Sequence, residues 1–245
     1  MKIYKFTPSQ ADWIAELLDE ESFNYQKTWL RVGQLDVNRT ITKSRQIGAT
    51  STFAREGLLD ALTTGRNQIY YAPTRKHALC SLLYIRGYAA RVGVSISSDE
   101  ENLQLDNGAS ISFIGEDSRV INYAGNIYID EFGWFKNPRR AAINASLIAM
   151  HKGHRQTAYT SPSDSFEAFR MWRGDFSFGT PKHPRVHTDG SSFCSDGVWR
   201  QSVTLVQSIQ QGNTLIDIEQ IKNYFSPDEY RRLFSCDWSQ AIIAI

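Results

Sequence analysis

The amino-acid sequence predicts an α/β fold in which helices cover both faces of a mostly parallel sheet. The main observation is that strand-like and helix-like segments alternate over residues 37–173. A glycine-containing turn at residues 43–51 joins a predicted strand to a predicted helix, and an apolar run at residues 127–129 ends in two carboxylates. Both features follow strands, and ligands of such sheets bind at the carboxyl ends of strands. The sequence therefore places both features at one edge of the sheet.

The individual elements follow from hydrophobic periodicity and from turn residues. Residues 7–10 form a capping box with proline at the first helical position, which predicts a short N-terminal helix. Apolar residues at helical spacing predict further helices at residues 51–63, 75–92 and 139–150. A weak alternation predicts a strand at residues 37–42, and further short strands are predicted at residues 68–72, 94–96, 127–129 and 156–160. The turn at residues 106–108, between two apolar runs, predicts a β-hairpin.

The composition changes after about residue 174. Gly, Ser, Asp and Pro cluster between residues 174 and 197, and capping residues then predict two helices, beginning at Asp217 and Ser226. We therefore expect a core at residues 1–175, of which residues 1–36 form an N-terminal segment. We expect residues 176–245 to form a small C-terminal subdomain or linker.

The overall composition fits a folded chain and excludes several classes of protein. Of its 245 residues, 41% are hydrophobic and 22% are charged, so the chain can bury a core. Its formal net charge of +1 means that any DNA-binding surface must be a local patch. The apolar runs are too short to span a bilayer, so we expect no membrane contact. The three cysteines are far apart in sequence and suit a reducing cytoplasm.

The turn after the first predicted strand is similar to the Walker A pattern G-x-x-x-x-G-K-[ST], with two departures. Gly48 lets the backbone approach phosphate, and the Thr50 hydroxyl is placed to bind Mg²⁺. Ala49 stands where the pattern has lysine, and Lys43 stands at its first position. We expect the Lys43 ammonium to reach back over the loop and supply the missing charge. Arg45 is a second candidate, which would bind phosphate or stabilise transition-state charge.

The carboxylate pair, Asp130 and Glu131, ends the apolar run in the manner of a Walker B motif. A buried strand that ends this way would place Asp130 near Mg²⁺ and Glu131 near the γ-phosphate of ATP. Glu131 would polarise the attacking water, because phosphoryl transfer needs positioning and charge neutralisation more than covalent help. The alternative interpretation of the first motif is an ordinary turn with exposed cations. The alternative interpretation of the carboxylate pair is a solvated strand end.

With both motifs present, the chain resembles the large terminase subunit of tailed bacteriophages, the ATPase that pumps DNA into procapsids. It is most similar to the branch with a Ser-Arg-Gln-x-Gly-Ala-Thr loop. The matching stretches are residues 24–30, 43–50, 126–134, 159–163 and 226–230. The resemblance implies an additional-strand, RecA-like P-loop fold and a motor that couples Mg²⁺-ATP hydrolysis to translocation of double-stranded DNA.

The resemblance also implies roles for residues outside the two motifs. Gln26, with Tyr25 beside it, matches the glutamine motif that reads adenine. The resemblance thereby implies that residues 1–175 are a P-loop ATPase core and that residues 1–36 are its adenine-side segment. Thr160 and Ser161 match the coupling segment that senses the γ-phosphate. The alternative for Gln26 is a polar residue on the surface of a helix. The alternative for Thr160 and Ser161 is a helix cap. The complete set expected to contact nucleotide is Tyr25, Gln26, Lys43, Ser44, Arg45, Gln46, Gly48, Ala49, Thr50 and Ser51.

The same resemblance implies partners and a place of action. The implied partners are double-stranded DNA, a small terminase subunit and the portal protein of the procapsid. The chain would form a homo-oligomeric ring on the portal. The implied place is the cytoplasm of a bacterial host. Family members usually carry a C-terminal nuclease domain, and this chain ends about where that domain would begin. The resemblance therefore implies either an isolated ATPase domain or the product of a truncated prophage gene. We expect no nuclease activity from this chain.

Sequence-independent contacts to DNA need basic side chains that reach phosphates. The candidate clusters lie at residues 136–140, 151–155 and 182–185, and a solvated surface is the alternative for each. His151 and His154 have a spacing that could hold a metal, but no Cys or carboxylate is near them in sequence. We therefore expect no metal site there.

Two other functions are the alternatives. The first is a helicase-like DNA ATPase, which would need a second RecA-like domain, for which 245 residues leave no room. A catalytically weak or inactive remnant would bind nucleotide or DNA without turnover, and Ala49 in the place of the usual lysine keeps this alternative open.

Overall fold

The structure is a computed structural model that describes residues 2–175 and 191–243. The strands in these ranges are β1 (Ile3–Tyr4), β2 (Arg39–Lys43), β3 (Gln68–Ala72), β4 (Leu103–Leu105), β5 (Ser110–Gly115), β6 (Asn126–Asp130), β7 (Gln156–Thr160), β8 (Ser191–Phe193) and β9 (Trp199–Val203). They form one sheet in the order β1-β4-β5-β3-β6-β7-β2-β9-β8. The pairings β4–β5 and β8–β9 are antiparallel, and the other described pairings are parallel.

Helices connect most of the strands. They are α1 (Pro8–Glu20), α2 (Asn24–Gly33), α3 (Ala49–Thr64), α4 (Arg75–Arg91), α5 (Pro138–Ile148), α6 (Phe166–Arg173), α7 (Leu205–Gln210), α8 (Ile218–Tyr224), α9 (Pro227–Phe234) and α10 (Ser239–Ile243). Single 3₁₀ turns occur at Val120–Asn122 and Phe132–Trp134. Within the described part of the chain, every helix is too short or too polar to traverse a bilayer.

Side chains alternate between the two faces of the sheet, and a hydrophobic core covers each face. Tyr70 and Tyr128 stack on neighbouring strands, and Phe53 of α3 packs against Tyr128 in the larger core. Ile127 and Ile129 flank Tyr128 on β6 and pack in the second core, to which α5, α6 and α10 contribute. Because both faces of β6 are buried, its carboxyl end is the only part of the strand that can present side chains to a ligand.

Most of the predicted elements are present. The strands predicted at residues 68–72 and 156–160 coincide with β3 and β7, and the predicted hairpin is the β4–β5 pair. The helices predicted at residues 51–63, 75–92 and 139–150 correspond to α3, α4 and α5 with small shifts at their ends. The capping boxes predicted before α1 and α9 form as hydrogen-bonded pairs, and Asp217 caps α8.

The strand predicted at residues 94–96 is wrong. Helix α4 is followed by Gly93, whose φ of 82° turns the chain, and the Val94 N–H donates to the Ala89 carbonyl at 2.8 Å. Val94 and Ile96 pack against the larger core from this irregular segment. The apolar alternation therefore reflects burial without strand pairing.

The segment after residue 190 extends the main sheet. Strand β9 lies parallel to β2, with register pairs from Arg39 with Trp199 to Lys43 with Val203. Neither β8 nor β9 was predicted. The division of the chain after residue 175 stays a prediction, and β9 shows that its second part contributes a direct neighbour of β2.

Candidate active site

A cleft of about 800 Å³ opens at the carboxyl end of strand β2, which lies between β7 and β9. Its floor is the loop between β2 and α3, and its walls come from α2, from the ends of β3 and β6 and from the segment after α7. The residues that line it include Gln26, Lys43, Arg45, Gln46, Gly48, Ala49, Thr50, Ser51, His77, Glu131 and Trp134. Parallel α/β sheets bind ligands at this edge, so the cleft is the candidate active site.

The loop after β2 offers backbone N–H groups to the cleft. Gln46 and Gly48 have left-handed φ values of 64° and 77°, which curl the chain ahead of α3. Helix α3 begins at Ala49, and no side chain in the described residues caps its N-terminus. The first N–H groups of a helix lack intrahelical partners, and the helix dipole favours negative charge there. The loop can therefore hold a phosphate group.

Helix α2 holds the loop from behind. The Tyr25 hydroxyl donates to the Ile47 carbonyl at 2.8 Å, and the Gln26 Nε2 group donates to the same oxygen at 3.1 Å. Gln26 Oε1 accepts the Phe23 N–H at 3.0 Å. Gln26 Nε2 also lies 2.8 Å from the point where a β-carbon on Gly48 would sit. Glycine is thus required at position 48 both by its φ and by this close approach.

Lys43 and Glu131 form a buried ion pair at the centre of the cleft. Lys43 ends β2 and Glu131 follows β6, and the distance between Lys43 Nζ and Glu131 Oε1 is 2.5 Å. Glu131 Oε2 lies 3.0 Å from Thr160 Oγ1 and accepts the Ser161 N–H at 2.9 Å. Glu131 also has a φ of 52°, a costly conformation for a residue with a side chain, which recurs at active sites.

Burial and charge act in opposite directions on the two neighbouring carboxyl groups. Burial tends to raise the pKa of Glu131, but the Lys43 ammonium and the Ser161 N–H outweigh it and lower that pKa. Burial, followed by the negative charge of Glu131, raises the pKa of Asp130 to about 6. Glu131 therefore stays ionised at neutral pH, whereas Asp130 would gain from a further positive charge beside it.

Asp130 presents an oxygen-rich site beside α3. Its Oδ2 atom accepts the Thr50 hydroxyl at 3.0 Å and lies 3.9 Å from His77 Nε2. Its Oδ1 atom is buried and finds no hydrogen-bond partner among the described residues. The neighbouring Tyr159 hydroxyl has a pKa raised by burial and by this carboxylate. A hard cation such as Mg²⁺ prefers oxygen ligands, so Asp130 and Thr50 fit a magnesium site.

Arg45 lies at the rim of the cleft, against an aromatic ring. Its guanidinium carbon is 4.9 Å from the centre of the Trp134 ring, and its backbone N–H donates to the Leu233 carbonyl at 2.9 Å. The second contact joins the loop to α9, just as the Ser44 N–H joins it to Val203 of β9 at 2.8 Å. The loop is therefore held by the C-terminal segment as well as by α2.

Comparison with known proteins decides the family. A family model described as "Terminase large subunit, T4likevirus-type, N-terminal" matches residues 40–241. This chain belongs to the family of terminase large subunits. The "Terminase, ATPase subunit" of Escherichia phage P2 is 36% identical over 244 residues, which cover 95% of this chain and 41% of that protein. The "Probable terminase, ATPase subunit" of Haemophilus phage HP1 is 34% identical over 228 residues, which cover 88% of this chain and 37% of that protein.

The terminase chain thus spans about two fifths of the length of the curated relatives it matches. Among solved structures, the large terminase of a thermophilic bacteriophage in complex with ATP-gamma-S superposes with a TM-score of 0.61 and 12% identity. The match covers 88% of this chain and 52% of that one. At this identity the likeness shows a shared fold. The predicted α/β fold class and the predicted family are both confirmed.

The structure gathers the predicted site residues of the terminase chain around one cleft, some inside it and some behind it. Tyr25, Ser44, Asp130, Thr160 and Ser161 are buried and support or flank the lining residues. Tyr25 in particular holds the loop through its hydroxyl and does not line the cleft. The roles assigned to all these residues stay predictions.

Several residues of the cleft carried no signal in the sequence. His77 follows the end of β3, and Trp134 follows the carboxylate pair by three positions. Asn213 and Leu215 come from the segment after α7, and Glu21 comes from the end of α1. A search for polar or aromatic residues just beyond each strand end would have found His77 and Trp134. The others could be placed only with the fold known.

The predicted basic clusters differ in their surroundings. Lys136, Arg139 and Arg140 are exposed near the start of α5. Arg155, in the second cluster, is buried and forms ion pairs with Glu56 and two aspartates, so its inclusion among residues that could reach DNA is corrected. The third cluster, residues 182–185, lies outside the described residues. No group of metal-ligating side chains surrounds His151 and His154 in the described part of the chain.

Proposed function

We propose that this chain is the ATP-hydrolysing motor domain of a viral DNA-packaging terminase, which couples Mg²⁺-ATP hydrolysis to translocation of double-stranded DNA. The observation that supports it most is the Lys43–Glu131 pair, which lies beside the open N-terminus of α3. A cation, a carboxylate and an anion-binding helix end then face one cleft. The curated relatives are named ATPase subunits, and the large terminase from the thermophilic bacteriophage was solved with ATP-gamma-S.

The loop would bind the phosphates of ATP. The N–H groups at the start of α3 would face the phosphate oxygens. The Lys43 ammonium has three N–H donors, of which one is directed at Glu131, so two are left for oxygens of the nucleotide. Lys43 thereby supplies the charge that Ala49 lacks. Gln26 lines the same cleft, and the remaining N–H of its amide would reach the adenine ring.

Asp130 and Thr50 would hold the magnesium ion. When bound, the ion neutralises charge on the β- and γ-phosphates. The Oδ1 atom without a hydrogen bond and the raised pKa of Asp130 support this role, because burial and the charge of Glu131 outweigh the partners that this carboxyl group has.

Glu131 would orient the water that attacks the γ-phosphate. Its lowered pKa argues for a carboxylate that accepts a hydrogen bond from water more than for a strong base. This suffices, because phosphoryl transfer depends on positioning and on charge stabilisation. Ser161 and Thr160 fix the carboxylate from the end of β7. Lys43 and Arg45 would stabilise the charge that spreads over the transferred group.

Thr160 and Ser161 would also transmit the cleavage of the γ-phosphate to the rest of the chain. They contact Glu131 directly, so a change at the γ-phosphate would reach the end of β7 through two hydrogen bonds. The exposed basic residues near the start of α5 are candidates for contacts to DNA phosphates. A small terminase subunit, a portal protein and a ring of identical subunits are the partners that this function implies.

The test compares the unchanged chain with Glu131→Gln. We expect the variant to bind a fluorescent ATP analogue with unchanged affinity and to lose turnover by about 10²- to 10³-fold, since charge and water orientation are lost together. Glu219→Gln, which changes an exposed carboxylate outside the cleft, is the matched control.

Steady-state hydrolysis should be measured with and without double-stranded DNA. Retained turnover in Glu131→Gln would remove Glu131 from its role. Binding without hydrolysis by the unchanged chain would favour the inactive remnant instead.

A further inference from the structure

We propose that Trp134 is a positioning residue, which holds the Arg45 guanidinium at the rim of the cleft and links it to Glu131 through Ser161. The inference rests on the proposed ATPase function, because it assigns the placement of a charge used in that reaction. Trp134 lines the cleft and is 38% exposed, although it is a large apolar side chain next to a buried carboxylate. Its ring is therefore available to a charged neighbour.

The ring of Trp134 has positive charge near it from two elements. The Arg45 guanidinium carbon lies 4.9 Å from the ring centre, and that of Arg232, on α9, lies 6.0 Å from it. A guanidinium at such distances is attracted by the negative face of the ring. The Arg45 Nε atom is buried and has no hydrogen-bond partner among the described residues. The ring is thus a contact that helps to orient this guanidinium, beside the attraction between Arg45 and the Glu131 carboxylate.

The edge of the same ring is tied to the carboxylate. The Trp134 Nε1–H group donates to Ser161 Oγ at 3.3 Å, and Ser161 Oγ donates to Glu131 Oε2 at 3.2 Å. The backbone repeats this link, because the Trp134 N–H donates to the Glu131 carbonyl at 2.9 Å. A change in what Glu131 binds would therefore move the indole, and with it Arg45.

The turn that carries Trp134 has little freedom to place the ring elsewhere. Gly133 donates its N–H to Thr160 Oγ1 at 3.1 Å, and a β-carbon at this glycine would lie 2.9 Å from the same oxygen. Glu131, two residues before this glycine, has a left-handed φ. A side chain held on such a short and constrained turn can position a neighbour with small error, which is what an oriented charge in phosphoryl transfer requires.

The inference is tested by a double-mutant cycle on hydrolysis. We expect Trp134→Leu to lower kcat by about 10- to 100-fold and to change KM by less than about twofold, because misplaced catalytic groups cost turnover before binding. In an Arg45→Ala background, Trp134→Leu should cause a clearly smaller further loss than it causes in the unchanged chain, because only the link to Ser161 is then left to lose. Trp134→Phe keeps a ring face but has no N–H donor for Ser161, so it should recover only part of the turnover lost in Trp134→Leu. Trp13→Leu, which changes a half-exposed tryptophan on α1 outside the cleft, is the matched control.

A second cycle measures the contact without requiring hydrolysis. Urea unfolding of the same single and double variants should show that the Arg45 and Trp134 changes are coupled by about two- to fivefold in the unfolding equilibrium constant. Additive losses in kcat, or additive effects in the unfolding cycle, would overturn the inference. If the unchanged chain lacks hydrolysis, the proposed function fails, and the unfolding cycle still decides whether Trp134 holds Arg45.

Discussion

The ammonium of Lys43 and the carboxylate of Glu131 compensate each other's charge. Both side chains are almost fully buried, with exposures of 7% and 11%, so water solvates their charges only in part. An ion pair in such a place gains little net stability, but removing one partner leaves the other charge uncompensated. The displaced lysine is therefore coupled to the carboxylate, and the two positions should tolerate change only together.

We expect Lys43→Met to lower the free energy of unfolding by about 3 kcal/mol, because it leaves the Glu131 carboxylate buried without its cation. The double variant Lys43→Met, Glu131→Gln should regain most of that loss, since no charge is then buried. Urea unfolding at neutral pH measures both. Lys222→Met removes a cation from an exposed ion pair and should show no measurable change. Equal losses in the single and the double variant would contradict a coupled pair.

At the scale of elements, the loop between β2 and α3 is held from two directions. Helix α2 fixes the Ile47 carbonyl, while β9 and α9 accept the N–H groups of Ser44 and Arg45. These contacts leave the N–H groups at the start of α3 as the donors that face the cleft. Preorganised donors cost no rearrangement when an anion binds, so the shape of this loop should matter more than its side chains.

We expect Gly48→Ala to abolish ATP binding and to destabilise the chain by more than the about 1–2 kcal/mol that a left-handed conformation costs an alanine. The added β-carbon would meet Gln26 Nε2 at 2.8 Å and push it off the Ile47 carbonyl. Gly93→Ala is the matched control, because Gly93 has a φ of 82° and open space around it. Thermal unfolding with and without ATP separates the two effects. Equal destabilisation of both variants, with ATP binding intact, would show that the contact to Gln26 is unimportant.

The elements that could be predicted are those whose signal is local. Strand β3 is rich in Ile and Tyr and is closed by Pro73, whereas β7 is rich in Thr and Tyr, which favour strands, and its bounds and those of β3 agree with the prediction. Strand β9 has no such signal, because its Gln201 side chain is polar and buried. That side chain accepts the Trp29 Nε1–H at 2.6 Å, a partner 172 residues away. A polar strand of this kind can be recognised only once the fold supplies its partners.

The same distinction holds for the site. The loop and the carboxylate pair could be predicted because each is a contiguous motif beside a strand. The contact between Lys43 and Glu131 joins positions 88 residues apart, and the contact between Arg45 and Trp134 joins positions that no spacing rule connects. Sequence reasoning therefore supplied the parts of the site, and the sheet order brought them together.

For the whole molecule, the question is whether residues 1–175 form an independent unit. Strand β2, which carries Lys43 at its end, lies between β7 and β9. Residues 191–243 also supply the Val203 carbonyl that accepts the Ser44 N–H and the Trp238 Nε1–H group that donates to Thr42 Oγ1 at 3.3 Å. Removing these residues would expose one edge of β2 and release one side of the loop between β2 and α3.

We expect a fragment of residues 1–175 to lose ATP binding. In the full chain, ATP at 100 times its Kd should add about 2.7 kcal/mol to the free energy of unfolding, and the fragment should show no such gain. Deleting residues 1–4 is the control, because it removes only β1 at the far edge of the sheet and should leave ATP binding intact. A fragment that unfolds cooperatively and binds ATP as tightly as the full chain would show an autonomous core. Loss of ATP binding in the fragment would mean that the C-terminal segment completes the phosphate site, because the edge of β2 cannot be held in place without β9.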